Sequence, residues 1–334
     1  MPRNGSLPTG GAGSMAKRRG EEEGRFCRYG AWYLSRIHRE FCAEIRGVKE
    51  GRDPEAVHRM RVASRRLRAG IPLFSRCFSR KAYQKVSRGV RRITRDLGDA
   101  RDLDVQIAYL EGLVESLRED GGPQVNGCIA LLSRKKEERD ALQPKVIADC
   151  SRLEQKGILS LLEEEIGAWN TPDGPPHRLP SRGFPMKRSG KAIQKKVEKL
   201  LSYSPAVGDP DAVEAHHAMR IAAKRLRYII EVYAPLYRNE LKPVLKRLKA
   251  LQEILGNLHD CDVWIMDLEE ALKRREDPSA ERDPGLEAGM AFILKDRKEA
   301  RAAYYLALRE EWEALVASGL FSDLKDAVSS GVLH

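Results

Sequence analysis

Residues 58–68 read HRMRVASRRLR, and residues 217–227 read HAMRIAAKRLR. Seven of the eleven positions are identical, and Val62/Ile221 and Arg65/Lys224 are conservative exchanges. A second pair follows in the same order: LGDARDLDV at 97–105 and LGNLHDCDV at 255–263. Two motifs displaced together, by 159 and then 158 residues, make the chain an internal repeat of two related halves.

Working outward from the repeat, the chain reads as helix almost throughout. Segments of Leu, Ala, Arg, Glu and Lys carry apolar residues at three- and four-residue steps. No alternating run of β-branched and aromatic residues is long enough for a sheet. The fold class is therefore all-α. Gly and Pro cluster between the periodic segments, and the stretch 171–185 is the expected linker. The division is a flexible tail at 1–23, a first helical half at 24–170, the linker, and a second helical half at 186–330. Asp53-Pro54 and Asp209-Pro210 are expected helix starts. Gly98 and Gly256 are expected to close helices, with Asp99 and Asn257 capping the next. Gly70 and Pro72 are expected to kink the helix begun at Pro54.

At about 100° per residue, Val57, Met60, Ser64, Leu67, Ile71 and Phe74 share one face. His216, Met219, Ala223, Leu226, Ile230 and Tyr233 match them. Beside that core face runs a strip of His58, Arg61, Arg65 and Arg68, repeated as His217, Arg220, Lys224 and Arg227. The next helix packs through Val86, Val90, Ile93 and Leu97, matched by Val244, Leu248, Leu251 and Leu255. It adds Arg88, Arg91 and Arg95 in the first half and Lys246 and Lys249 in the second. Lys85, Arg92 and Arg95 have uncharged or acidic counterparts, so the first half should carry the stronger positive field.

Net charge is +11, from 60 Lys and Arg against 49 Asp and Glu. From His58 to Arg95 there are thirteen Lys or Arg and no acid, and 174–197 holds seven without an acid. Like charges at helical spacing repel by about 0.2–0.5 kcal/mol per pair, so an anionic partner is expected to complete the strips. Arginine's planar fork suits phosphate oxygens. Arg66 and Arg225 lie about 120° off the strip. They are expected to pair with Asp102, Asp104, Asp260 and Asp262 and so lock helix to helix. The six cysteines show no metal-ligand spacing and are read as free thiols of a reducing compartment, hence a cytoplasmic protein. No stretch approaches the roughly 20 apolar residues of a membrane span.

The motif His-x-Met-Arg-[Val/Ile]-x-x-[Arg/Lys]-Arg-Leu-Arg, followed by Leu-Gly-x-x-[Arg/His]-Asp-x-Asp-Val, resembles that of the CHAD domain, the conserved histidine α-helical domain. Both motifs occur twice, and the resemblance covers about residues 24–325. It implies two similar antiparallel helical bundles related by a pseudo-twofold axis, with a basic channel between them. It implies binding of inorganic polyphosphate without catalysis, association with polyphosphate granules, and no cofactor or metal. His58, Arg61, Arg65, His217, Arg220 and Lys224 would line the channel, with basic residues of the next helices beside them. His259 departs from the first half, which has Arg101 there. Two other readings stand beside this one. A nucleic-acid binder would want aromatics interleaved with the cations, and the strips lack them. A metal-dependent phosphohydrolase or phosphotransfer protein would recruit His58, His217 and the aspartates, but the surrounding arginines oppose a metal.

Overall fold

Apolar residues at helical spacing generate long helices, and no strand forms among the described residues. The computed structural model describes residues 11–117, 122–169, 184–237, 240–275 and 283–330. The first half comprises α1 (Gly11–Ala43), α2 (Ile45–Glu50), α3 (Pro54–Leu73), α4 (Arg80–Leu117), α5 (Pro123–Gln155) and α6 (Ile158–Gly167). The second comprises α7 (Phe184–Leu201), α8 (Val213–Tyr233), α9 (Lys242–Arg275), α10 (Pro284–Ala317) and α11 (Leu320–Ser330). The segment read as a tail is helical from Gly11 onward, and residues 1–10 lie outside the described residues. So does most of the expected linker, 171–183.

The halves repeat one packing order. In the first, α1 packs on α3, α3 on α4 and α4 on α5. In the second, α7 packs on α8, α8 on α9 and α9 on α10. The helices α6 and α11 fold back on α1 and α7 respectively. The halves meet where α5 lies on α10, α3 on α8 and α1 on α7. Every residue of the expected core faces of α3, α4, α8 and α9 is buried. One apolar cluster runs through both halves, from Phe26 and Phe41 through Leu67 and Leu97 to Leu226 and Leu308. A second joins the far ends of α4, α5, α9 and α10 around Leu110, Leu131, Trp264 and Ile293.

The Asp53 cap forms as expected, its carboxylate accepting from the Glu55 amide at 2.9 Å. Asp209 instead accepts from the Asp211 amide in a turn, and α8 starts only at Val213. Pro72 does not break α3 midway; the helix ends one residue later, at Leu73. Gly98 and Gly256 do not end helices either. Both α4 and α9 run straight through them, so Asp99 and Asn257 cap nothing. An interior glycine costs about 1 kcal/mol relative to alanine. Burial of Leu97, Ala100 and Leu110, and of Leu255, Leu258 and Leu268, on either side outweighs that.

Six free thiols are not what the fold contains. Cys27 of α1 and Cys77, just after α3, form a disulfide. Both sit in the aromatic cluster where the Phe26 and Phe74 rings lie 5.1 Å apart, which brings together cysteines fifty residues apart in sequence. Cys42, Cys128, Cys150 and Cys261 remain free. The disulfide withdraws thiol chemistry as a reason for placing the protein in a reducing compartment. No helix among the described residues is long and apolar enough to cross a membrane.

Candidate functional site

The Asp53 cap and the buried face of α3 fix the rotation of that helix. His58, Arg61 and Arg65 are thereby half-buried and Arg68 exposed. On α8, His217, Arg220, Lys224 and Arg227 are all half-buried. Because α3 packs on α8, the two strips act on one another. Burial, followed by Arg65, Arg220, Arg61 and Arg68, pushes the Lys224 ammonium down to about 7. Arg65 is likewise lowered, by burial first, with Arg61, Arg220 and Arg227 adding to it and Tyr228 opposing. Two guanidiniums lie over the Tyr228 ring, Arg65 at 5.4 Å and Arg227 at 5.2 Å from its centre. Among the described residues, no carboxylate lies within ion-pair distance of Arg65, Arg68, Arg220 or Lys224.

The histidines close the ends of the strips. The buried Nδ1 of His58 has no hydrogen-bond partner. Burial and Arg101 lower its pKa, and Glu55 works against them. His217 and His259 face one another, Nδ1 to Nδ1 at 3.0 Å, so one ring donates and the other accepts. Burial, Arg220, His217 and Lys224 push His259 down to about 4. The pair is thus held short of full protonation by burial first and then by the cations of the strip. A cavity of about 820 Å³, with Val213, Ile265 and Met266 among its walls, opens beside this pair.

The strips are not free of carboxylates. Arg61 donates to Asp102 at 3.3 Å, and Arg227 lies 3.6 Å from Glu231. Asp260 is exposed to solvent on one side and neighbours the cations of both strips on the other. Burial raises its pKa most, Asp102 raises it further, and Arg220 and Arg61 pull it back. The first aspartate of each Asp-x-Asp pair therefore faces the strips. The second does not: Asp104 accepts from Arg139 of α5 at 2.8 Å, and Asp262 from Arg301 of α10 at 2.6 Å. The expected partnership of Arg66 and Arg225 with these aspartates is therefore wrong. Arg66 points back to Glu40 of α1 and across to Glu231 of α8. Arg225 turns toward α7.

Of the remaining candidate cations, Arg88, Arg91, Arg95, Lys246 and Lys249 are all exposed. Arg88 and Arg91 donate to the Gln84 and Ser87 carbonyls of their own helix. Lys249 lies 3.6 Å from Glu253. Arg95 joins a network in which buried Asp96 also takes Lys145, and buried Asp149 takes Arg92 and Arg152. The acid-free run 58–95 thus gains counter-charge from Asp96 beside it and from Asp149 of α5. Arg101, which acts on His58, and Tyr228, beneath Arg65 and Arg227, also belong to the site, and the motif spacing alone does not point to them. Tyr228 does follow Lys224 by four residues and so continues the strip. No group of three or more His, Cys, Asp or Glu among the described residues could hold a metal ion.

Helices in two repeated packing series, with unpaired cations where the series face each other, define an all-α helical protein with a cationic junction. The chain belongs to the CHAD domain family, whose model matches residues 33–269. Among solved structures it is similar to the CHAD domain from the plant Ricinus communis, at 25% identity and a TM-score of 0.61, over 86% of this chain and 92% of that one. It is also similar in fold to PptA from Streptomyces chartreusis, at 14% identity and a TM-score of 0.58, over 86% of this chain and 99% of that one. No curated protein matches it.

Proposed function

We propose that the chain captures inorganic polyphosphate, without catalysis, in a channel between the facing strips of α3 and α8. One observation carries this reading: half-buried Lys224 stands among Arg65, Arg220, Arg61 and Arg68, drawn from both halves, and neither it, Arg65, Arg68 nor Arg220 is neutralised among the described residues. A partly buried cluster of cations with less than its full counter-charge is a site that attracts an anion. Incoming phosphates would supply the missing counter-charge and release condensed counterions. Arginine forks would take pairs of phosphate oxygens, and Lys224 a single one. His58, with its unpartnered Nδ1, would add a further donor. Binding of large polymers in this way would hold the protein at polyphosphate granules.

Nucleic acid is the second reading. Tyr228 is the one tyrosine, tryptophan or phenylalanine beside the facing strips among the described residues, and it is 9% exposed with two guanidiniums over its ring. It offers no open ring on which a base could stack. The test is a titration with long-chain polyphosphate and with single-stranded RNA of equal charge, each at two salt concentrations. Tighter binding of polyphosphate is expected at both. Equal affinity would replace the polyphosphate reading with a general polyanion or RNA binder. Release of orthophosphate on adding magnesium or manganese, lost in His58→Ala, would make the protein an enzyme instead.

A further inference from the structure

One arginine of the second basic motif has no part in the facing strips. Arg225 is exposed and has no ion-pair partner among the described residues. Arg66, its match in the first motif, is held by Glu40 and Glu231. Arg225 stands instead at a cavity of about 210 Å³ between α7 and α8, with Lys196, Lys199 and Tyr203 on the α7 side and Ala218 and Ile221 among the α8 residues beneath. Among the described residues no carboxylate lines it. Lys196 is half-buried and has no ion-pair partner among the described residues. Burial first, then Arg225 and Lys195, lower its pKa. The Lys199 ammonium lies 4.5 Å from the Tyr203 ring centre. On α8 this face is roughly 120° around the helix from the strip that meets α3. The cavity is therefore a separate cluster of three cations over an apolar floor, in a molecule that pairs the matching arginine elsewhere.

We propose that the α7–α8 cavity is a second anion site, which takes a run of one to three phosphoryl groups. Its volume suits a compact anion and not a folded chain. Arg225 would grip two oxygens of one phosphoryl group as a fork, and Lys196 and Lys199 would each meet a further oxygen as point charges. Ala218 and Ile221 add no hydrogen-bonding side chain, so the contacts go to the anion's own oxygens. The phosphoryl run could belong to a free short phosphate or to part of a longer polymer. The site does not rest on the strips of α3 and α8, and each can fail without the other.

Acylation of lysines, read peptide by peptide by mass spectrometry, tests the site where it lies. Saturating tripolyphosphate is expected to slow labelling of Lys196 and Lys199 roughly tenfold, the scale of one charge-assisted contact. Labelling of exposed Lys295 of α10 should not change. The protection should vanish in Arg225→Gln, a substitution at an exposed position that leaves the core untouched. Protection by tripolyphosphate identifies a free short phosphate as a ligand. Protection by long-chain polyphosphate alone identifies a polymer segment, and also upholds the site. No protection by either, equal slowing at Lys295, or undiminished protection in Arg225→Gln would overturn it.

Discussion

Lys224 shows how one residue type can carry both function and cost. In the fold it is pushed down to about 7 by burial and by arginines of both halves, well below the ordinary lysine range. Between those two values the unfolded chain binds more protons than the folded one, so stability rises with pH across that window. The cost of the charged form is present in full below about pH 7 and gone above the ordinary value. Lys224→Met should therefore raise stability at pH 6 by about 1 kcal/mol, and by almost nothing near pH 11. Urea denaturation at the two pH values measures both. The same variant should bind polyphosphate more weakly, and loss of stability at pH 6 would show that Lys224 is not strained by its neighbours. The strip itself was legible in the sequence because helix rotation follows directly from the spacing of Met60, Leu67 and Ile71 and of Met219, Leu226 and Ile230. Tyr228 continues the strip at helical spacing, but an aromatic ring at that position fits a core face equally well, so the sequence alone does not assign it. The pairing of His217 with His259 was not legible, since it depends on how α8 meets α9.

At the scale of helices, the second aspartates of the repeat are clamps. Asp104 and Arg139 join α4 to α5, and Asp262 and Arg301 join α9 to α10, all four side chains being no more than 17% exposed. Removing one partner of such a pair leaves an unpaired buried charge and costs about 3–5 kcal/mol. Arg301→Met should lose stability on that scale, and Asp262→Asn in the same chain should recover part of it. A denaturation series on the two single variants and the double measures the coupling, and strict additivity would show no clamp. Arg66→Ala should act in the same direction by loosening α1 and α8 through Glu40 and Glu231, with less effect on polyanion affinity than on melting temperature. The sequence did reveal that aspartates and arginines recur together, but not their partners. Arg139 and Arg301 lie on later helices, outside both motifs. The glycines misled for a related reason: Gly98 and Gly256 look like helix ends locally, and only the apolar residues continuing beyond them decide otherwise. Cys27 and Cys77 gave no sign at all, because their meeting is a property of the aromatic core around Phe26 and Phe74.

The whole molecule sets two copies of one cationic helix against each other. Composition showed the excess of positive charge, and the repeat showed that it comes in two parts. That α3 of one half packs on α8 of the other is a tertiary fact that only family resemblance anticipated. Part of the charge is cancelled on folding, by Asp96, Asp149 and Asp102. What remains around Lys224 governs binding. The logarithm of polyphosphate affinity should therefore fall linearly with the logarithm of salt concentration. Arg65→Gln and Arg220→Gln should each make that slope shallower by about one. An unchanged slope in either variant would place that arginine outside the contact. Proton uptake on binding reaches the uncompensated centre most directly, measured by calorimetry at pH 8 in two buffers of different ionisation enthalpy. If a polyanion completes the charge around Lys224, the wild-type protein takes up roughly one more proton per chain bound than Lys224→Arg does. Equal uptake by the two proteins would contradict a shared cationic centre waiting for its counter-charge.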